Sequence, residues 1–124
     1  MPLYNVITQA GVLSDAAKAQ FAAELTTFHS DYSRVPKEWV QVVFNDFAPG
    51  SGFTGGQPSA VASLMLHIRT GRSEEYKSEM VQHLWKLFQS ATHAADNQMV
   101  VAISEVPPSQ AMEMGKVMPA VSKA

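Results

Sequence analysis

The residue of this chain with the clearest potential for chemistry is Pro2, because removal of Met1 would turn its nitrogen into a free secondary amine. A free α-amino group has a pKa of about 7.7–8.0, and burial or a nearby arginine would lower that pKa toward neutrality. Such an amine can act as a general base at pH 7. The alternative is that the proline at this position is incidental and has no chemical role. Where Met1 is retained, the nitrogen is part of an amide and cannot act as a base.

Two arginines, Arg69 and Arg72, stand three residues apart, where a predicted strand ends and a predicted helix begins. The first turn of a helix offers unpaired backbone amides and the positive end of its dipole. Guanidinium groups bind carboxylates through paired hydrogen bonds. The pattern therefore indicates a carboxylate-binding corner, with an ordinary solvated loop as the alternative.

Two further candidates are His29, on the border of an apolar helical stripe, and Glu113, between Met112 and Met114. A carboxylate among apolar neighbours has a raised pKa when it is buried without partners, and it can then serve as an acid or a base. The alternatives are a histidine that complements the dipole at the end of its helix, and a carboxylate that faces solvent.

The sequence excludes several kinds of site. It contains no cysteine, which excludes disulfides, thiolate zinc sites, iron–sulfur clusters and cysteine nucleophiles. His67, His83 and His93 lack metal-ligand spacing with acidic residues, so we expect no metal site. The glycine-rich stretch 48–58 is followed by a strand rather than a helix, which disfavours a phosphate-binding loop.

Two similar β-α-β units must position the candidate residues. In each unit, an apolar strand is followed by a helix with a serine N-cap and then by a second apolar strand. The equivalent glycines Gly11 and Gly71 are 60 residues apart. The predicted strands are Pro2–Thr8, Trp39–Phe44, Leu64–Arg69 and Met99–Ile103, and the predicted N-caps are Ser14 and Ser73.

The predicted fold class is α+β, with the tandem units forming a four-stranded mixed sheet and two helices on one face. We expect one domain over 1–124, with halves of about 2–47 and 61–106 and a C-terminal turn over 107–124 that is helical from near Ser109 and stops at Gly115. The second sheet face has no cover within one chain, and exposed apolar patches of that size mark interfaces. We therefore expect a homo-oligomer.

Composition limits the class of protein. The chain has 124 residues, of which 46% are hydrophobic and 16% charged, so it can build one core. A net charge of −2 argues against nucleic acid as a partner, because binding to phosphates needs excess cations. The apolar runs are too short for a membrane span and the N-terminus lacks a basic secretion signal, so we expect a cytoplasmic protein without membrane partners.

Taken together, these motifs resemble the tautomerase superfamily, and within it the cis-3-chloroacrylic acid dehalogenase group. The resemblance covers residues 2 to about 119, and its order and spacing are more specific than any one piece. The matching pieces are Pro2 after Met1, His29 late in the first helix, the linker stretch Gly52–Gly56, Arg69 to Arg72, Glu105 to Pro107, and Met112 to Gly115.

The resemblance implies a tautomerase-like fold, a homotrimer, no cofactor, and an N-terminal proline as catalytic acid or base. Pro2 matches that proline, and Glu113 matches a carboxylate that activates water. His29, Arg69 and Arg72 match residues that bind the substrate carboxylate. One position departs from the pattern, because Ala102 replaces a tyrosine that assists the water in the dehalogenase, and the C-terminal tail is shorter.

Three functions follow as hypotheses. The first is a cofactor-independent tautomerase, an isomerase that uses neutral Pro2 on a small 2-oxo or unsaturated carboxylate. The second is a hydratase or dehalogenase of 3-substituted acrylates, in which Pro2 starts protonated and Glu113 activates water. The same reaction is also a candidate side activity of the tautomerase. The third is a non-catalytic oligomeric binding module, which retention of Met1 would favour.

Overall fold

The computed structural model describes residues 1–121 and has four long strands, two helices and two short hairpins. The long strands are β1 (Leu3–Gln9), β2 (Gln41–Phe47), β5 (Ala62–Arg69) and β6 (Met99–Val106), and the helices are α1 (Asp15–Ser33) and α2 (Glu74–Thr92). The hairpin strands are β3 (Phe53–Thr54) with β4 (Gln57–Pro58), and β7 (Met112–Glu113) with β8 (Lys116–Val117). Three short 3-10 turns cover Lys37–Trp39, Asp96–Gln98 and Pro108–Gln110.

The four long strands form one mixed sheet in the order β2-β1-β5-β6. The strands of each unit pair in parallel, with Tyr4 opposite Val42 in the first and Leu66 opposite Ile103 in the second. The two units meet through antiparallel pairing of β1 with β5. The predicted fold class is confirmed.

Both helices begin at the predicted serine caps. The Ser14 hydroxyl accepts a hydrogen bond from the Ala17 backbone N–H, and Ser73 accepts one from that of Tyr76, each at 3.1 Å. These bonds satisfy backbone donors that the first helical turn leaves without partners. Each helix ends at a left-handed residue, Arg34 or His93, so both helices have definite lengths.

The core lies between the helices and one face of the sheet. Alternate residues of β1 and β5 point toward the helices and are buried, as the period of a strand requires. The buried side chains that meet there are Tyr4, Val6, Leu64 and Leu66 from the sheet, and Phe21, Leu25, Met80, Leu84 and Phe88 from the helices. Both helices therefore cover the same sheet face, as predicted.

The opposite sheet face is uncovered by the residues that the structure describes. Its apolar side chains include Ile7, Val43 and Val100, which are 41%, 45% and 56% exposed. Asn5 and His67 form a hydrogen bond of 3.0 Å across this face. We call this surface, formed by the outward residues of the four long strands, the open sheet face.

Two segments before β5 form elements that the sequence patterns did not predict. The second strand begins at Gln41 rather than Trp39, because Lys37–Trp39 forms a 3-10 turn after Pro36. The linker over 48–58 contains the β3–β4 hairpin. No helix in residues 1–121 is long and apolar enough to cross a membrane.

The predicted C-terminal helical turn was wrong beyond its first residues. Pro108–Gln110 forms a 3-10 turn, and a β-hairpin then places Glu113 on β7. Met114 and Gly115 join its strands with φ values of 54° and 75°. Two central residues with positive φ form the type of turn that joins two hairpin strands directly. The last three residues of the predicted turn, 122–124, lie outside the described residues.

Candidate active site

The predicted site residues meet at the end of the sheet where the central strands β1 and β5 begin and finish, respectively. Antiparallel pairing places Leu3 opposite His67, so the N-terminus and Arg69 lie at the same end of the sheet. A cleft opens there with about 320 Å³ of empty space, its mouth included. Its lining includes Met1, His29, Ser33, Arg69, Arg72 and Tyr76.

The N-terminal amine of Met1 forms an ion pair with the Glu113 carboxylate. Burial lowers the pKa of this amine, and the charge of Arg69 lowers it further. Pro2 is fully buried, and its carbonyl accepts a hydrogen bond from the Gln41 N–H at 3.1 Å. While Met1 is present, the Pro2 nitrogen is part of an amide and has no basicity. The hairpin therefore brings a carboxylate to the chain terminus.

The two arginines contact neutral groups. Arg69 donates from Nη1 to the Pro119 carbonyl at 2.7 Å, and the Arg72 guanidinium lies 4.8 Å from the centre of the Tyr76 ring. Burial lowers the pKa of Arg69, and the adjacent charge of Arg72 lowers it further. An arginine keeps its proton in proteins. Two positive charges beside one cleft, held by uncharged partners, make a suitable place for an anion.

His29 is buried in α1, with only 3% of its surface exposed. Its Nδ1 lies 2.6 Å from the Tyr4 hydroxyl, and the two rings meet edge to face. Burial lowers the pKa of His29 to about 4, with further lowering by Arg72 and the N-terminal amine. His29 is therefore neutral at pH 7, and the alternative of a charged histidine complementing the helix dipole does not describe it.

Two cleft residues, Ser33 and Tyr76, were missed in the sequence. Their hydroxyls share a short hydrogen bond, and the Tyr32 hydroxyl donates to the Tyr76 carbonyl at 2.8 Å. Tyr76 thereby holds Arg72 through its ring and forms part of the wall. An aromatic residue four positions after an arginine was the available signal, but helical spacing assigned Tyr76 to the core.

Ala102 faces away from the cleft of its own chain. Its β6 neighbours Val101 and Ile103 pack against the core, so alternation puts Ala102 on the open sheet face, opposite Met65. A larger side chain at position 102 would therefore lie toward whatever covers that face. As for metals, no three His, Asp or Glu side chains in residues 1–121 come together as ligands.

A family model described as "Putative oxalocrotonate tautomerase enzyme" matches residues 1–124. The chain belongs to this family. It is thus a member of the tautomerase superfamily, as the motifs around Pro2, His29 and the arginine pair indicated. No curated protein matches the chain.

Solved structures give the same assignment. The crystal structure of native Ps01740 is 32% identical, has a TM-score of 0.85, and is matched over 90% of this chain and 99% of its own. N1, a member of the cis-3-chloroacrylic acid dehalogenase family, is 28% identical with a TM-score of 0.85, over 98% of this chain and 86% of its own.

More distant structures show the shared fold. An asymmetric trimer of fused 4-OT, named R7, is 23% identical with a TM-score of 0.83, over 93% of this chain and 94% of its own. The tautomerase-like fold that the resemblance implied is thereby confirmed.

Proposed function

We propose that the chain, once Met1 is removed, is a cofactor-independent tautomerase that uses the Pro2 amine on a small 2-oxo or unsaturated carboxylate. One observation carries this proposal. Met1, whose amine pairs with Glu113, lines a cleft together with His29, Arg69 and Arg72. Tautomerase membership supports the reaction class.

In this proposal the arginines anchor the substrate carboxylate, since paired guanidinium hydrogen bonds suit that group. Neutral Pro2 takes a proton from the substrate, and the bonding electrons move into an enolate whose oxygen carries the new charge. Arg69, Arg72 and His29 stabilise that charge. The Pro2 ammonium then returns the proton to a different atom, which completes the isomerisation without any net loss or gain.

The environment suits this role for an amine. Burial and Arg69 both lower the pKa of the terminal amine in the cleft. Both causes disfavour an ammonium and bring the pKa of the amine closer to pH 7, whereas the adjacent Glu113 carboxylate acts in the opposite direction. Pro2 lies next in the chain and is buried at the start of β1, so we infer the same direction of shift for its freed nitrogen.

A second candidate is hydration or dehalogenation of 3-substituted acrylates. The contact between Glu113 and the terminal amine favours it, and so does the likeness to N1. Glu113 would activate water, and Pro2 would start as an ammonium that donates its proton. The two functions need opposite protonation states of one amine, so a titration of Pro2 separates them. With Ala102 in place of the tyrosine, we expect this reaction to be slower than tautomerisation.

We also propose that the enzyme is a homotrimer. The exposed apolar side chains of the open sheet face need a cover, which a second copy of the same chain can supply. Fused 4-OT proteins of the same fold form trimers. A trimer would bring each Ala102 close to a neighbouring copy.

The decisive experiment compares enol–keto conversion by Met1-free protein, verified by its intact mass, with a form that retains an extra residue before Pro2. We expect activity only in the trimmed form, because an amide nitrogen has no basicity. An electrophilic unsaturated carboxylate should label the terminal nitrogen, and Arg69→Ala should slow the labelling. Equal activity of both forms would refute the proline mechanism and favour the binding module.

A further inference from the structure

Tyr4 and His29 form a buried polar pair directly behind the cleft. Tyr4 follows Pro2 by two residues on β1, so both side chains point toward the helices, where His29 projects from α1. The Tyr4 side chain has no exposed surface, and its hydroxyl lies 2.6 Å from His29 Nδ1. His29 also lines the cleft, so the pair connects the interior with the substrate side.

The direction of this hydrogen bond follows from the need to satisfy the phenol. A buried hydroxyl hydrogen requires an acceptor, and His29 Nδ1 is the one partner of Tyr4 among residues 1–121. If Nδ1 carried the proton and donated it to Tyr4, the phenolic hydrogen would have no acceptor in that part of the chain. The satisfied arrangement has Tyr4 donating to Nδ1, which leaves the imidazole proton on Nε2.

The charges around the pair keep both members neutral. Burial and the positive charges of Arg72 and the N-terminus disfavour an imidazolium at His29. Burial also raises the pKa of Tyr4, with a further contribution from Tyr76, and so disfavours a phenolate. A neutral phenol and a neutral imidazole therefore face each other across the working pH range.

We propose that Tyr4 is a positioning residue that fixes His29 as its Nε2–H tautomer, so that Nε2 donates a hydrogen bond to an oxygen of the bound substrate. This inference rests on the proposed function for its substrate. Because Nδ1 is occupied by Tyr4, the ring edge left for the cleft carries Nε2. A neutral donor of fixed tautomer provides a hydrogen bond to a carboxylate or enolate oxygen without competing with Pro2 as a base.

The first test is the tautomer itself, measured by ¹⁵N NMR of the imidazole in trimmed protein between pH 5.5 and 8. We expect a protonated Nε2 and an unprotonated Nδ1 in the wild type. In Tyr4→Phe, which keeps the ring, we expect a mixture of tautomers or a shift to Nδ1–H. Tyr32→Phe makes the same chemical change outside the cleft lining and should leave the His29 tautomer unchanged.

The second test asks whether Tyr4 acts through His29. Tyr4→Phe should lower kcat/KM for enol–keto conversion by about 2- to 12-fold, the range of one neutral hydrogen bond. In a His29→Gln background, the same substitution should have no further effect on kcat/KM, because the group that Tyr4 positions is gone. A purely structural role would lower activity in both backgrounds.

Two results would overturn the inference. One is a wild-type protein whose His29 carries its proton on Nδ1, a measurement that needs no variant to fold. The other is a Tyr4→Phe protein that keeps the Nε2–H tautomer fully populated. Either result in an active enzyme leaves the proposed function standing. A trimmed protein without tautomerase activity refutes that function instead, whichever tautomer it shows.

Discussion

The candidate site depends on a few groups whose pKa values differ from those they would have in water. His29 is neutral because it is buried beside Arg72, and the terminal amine has a lowered pKa because it is buried beside Arg69. The arginines keep their charges while they contact only a carbonyl and an aromatic ring. The site thus combines two permanent cations with a neutral imidazole and an amine whose pKa is lowered.

The arginine pair should be needed for turnover of a carboxylate. Arg69→Ala and Arg72→Ala each remove hydrogen bonds to a charged group, which contribute about 1.5–3 kcal/mol. We expect each substitution to lower kcat/KM by about 10- to 150-fold in steady-state kinetics. Lys86→Ala removes a cation from the exposed part of α2 and serves as the control. Wild-type kinetics in both arginine variants would mean that the pair does not bind the substrate.

The depressed pKa of His29 should appear in stability at acid pH. The unfolded chain binds a proton at this residue near pH 6.5, whereas the folded chain resists it until about pH 4. Stability from this group is therefore complete above pH 6.5 and is lost as the pH falls toward 4, by on the order of 3 kcal/mol. Urea unfolding at pH 7 and pH 5 should show about 2 kcal/mol of this loss, because pH 5 is still above the folded-state pKa.

The control for this prediction is His29→Gln, which should remove the His29 part of the pH dependence, whereas His83→Gln at an exposed position should keep it. An identical change in the free energy of unfolding between pH 7 and pH 5 in wild type and His29→Gln would contradict the prediction.

Among the elements, the C-terminal hairpin matters most, because it carries Glu113 to the terminal amine. Its position depends on the turn at Met114 and Gly115, where both residues have positive φ. The tail after the hairpin returns to the cleft, where Pro119 accepts the hydrogen bond from Arg69. The segment 112–119 thus carries Glu113 and also contacts Arg69.

Strain in the turn at Met114 and Gly115 should therefore lower activity, whereas equal strain in a turn away from the site should lower only stability. Gly115→Ala and Gly50→Ala both put a Cβ at positive φ, 75° and 88°, with open space around it. Each should cost about 1–2 kcal/mol of strain. We expect only Gly115→Ala to lower kcat/KM for hydration of a 3-substituted acrylate, because only that turn orients Glu113, which would activate the water. Equal kinetics for the two variants at matched unfolding free energies would refute this role of the hairpin.

At the scale of the whole molecule, the open sheet face is the main apolar surface that lacks a packing partner among residues 1–121. One face of a four-stranded sheet is covered by both helices, and the other exposes Ile7, Val43 and Val100. Burial of such side chains is favourable by about 25 cal/mol per Å² of apolar surface. Association through this face is the simplest way for identical chains to gain that stabilisation.

Sedimentation equilibrium at micromolar concentration should give three times the 13.5 kDa mass of the chain. Val43→Asp puts a charge on the open sheet face and should shift the protein toward smaller species. Ala23→Asp makes a comparable change on the exposed side of α1 and should leave the mass unchanged. A stable monomer in the wild type would rule out the trimer.

Local patterns in the sequence were enough to predict much of the fold. Ser14 and Ser73 mark the helix starts because an N-cap bond spans only three residues, and the four strands follow from apolar runs between glycines and prolines. The candidate residues came largely from the order of motifs that resemble the tautomerase superfamily. The hairpin that contains Glu113 was not predicted, because Met114 adopts a positive φ that its residue type does not favour.

Only the tertiary structure decided how those residues act together. The antiparallel pairing of β1 with β5 brings the N-terminus to Arg69, and no local pattern fixes which strands of two similar units become neighbours. The state of His29 depends on Tyr4, 25 residues away in the chain. Residue types are a property of the sequence alone, but burial, charge state and tautomer depend on contacts that exist only after the two units pack.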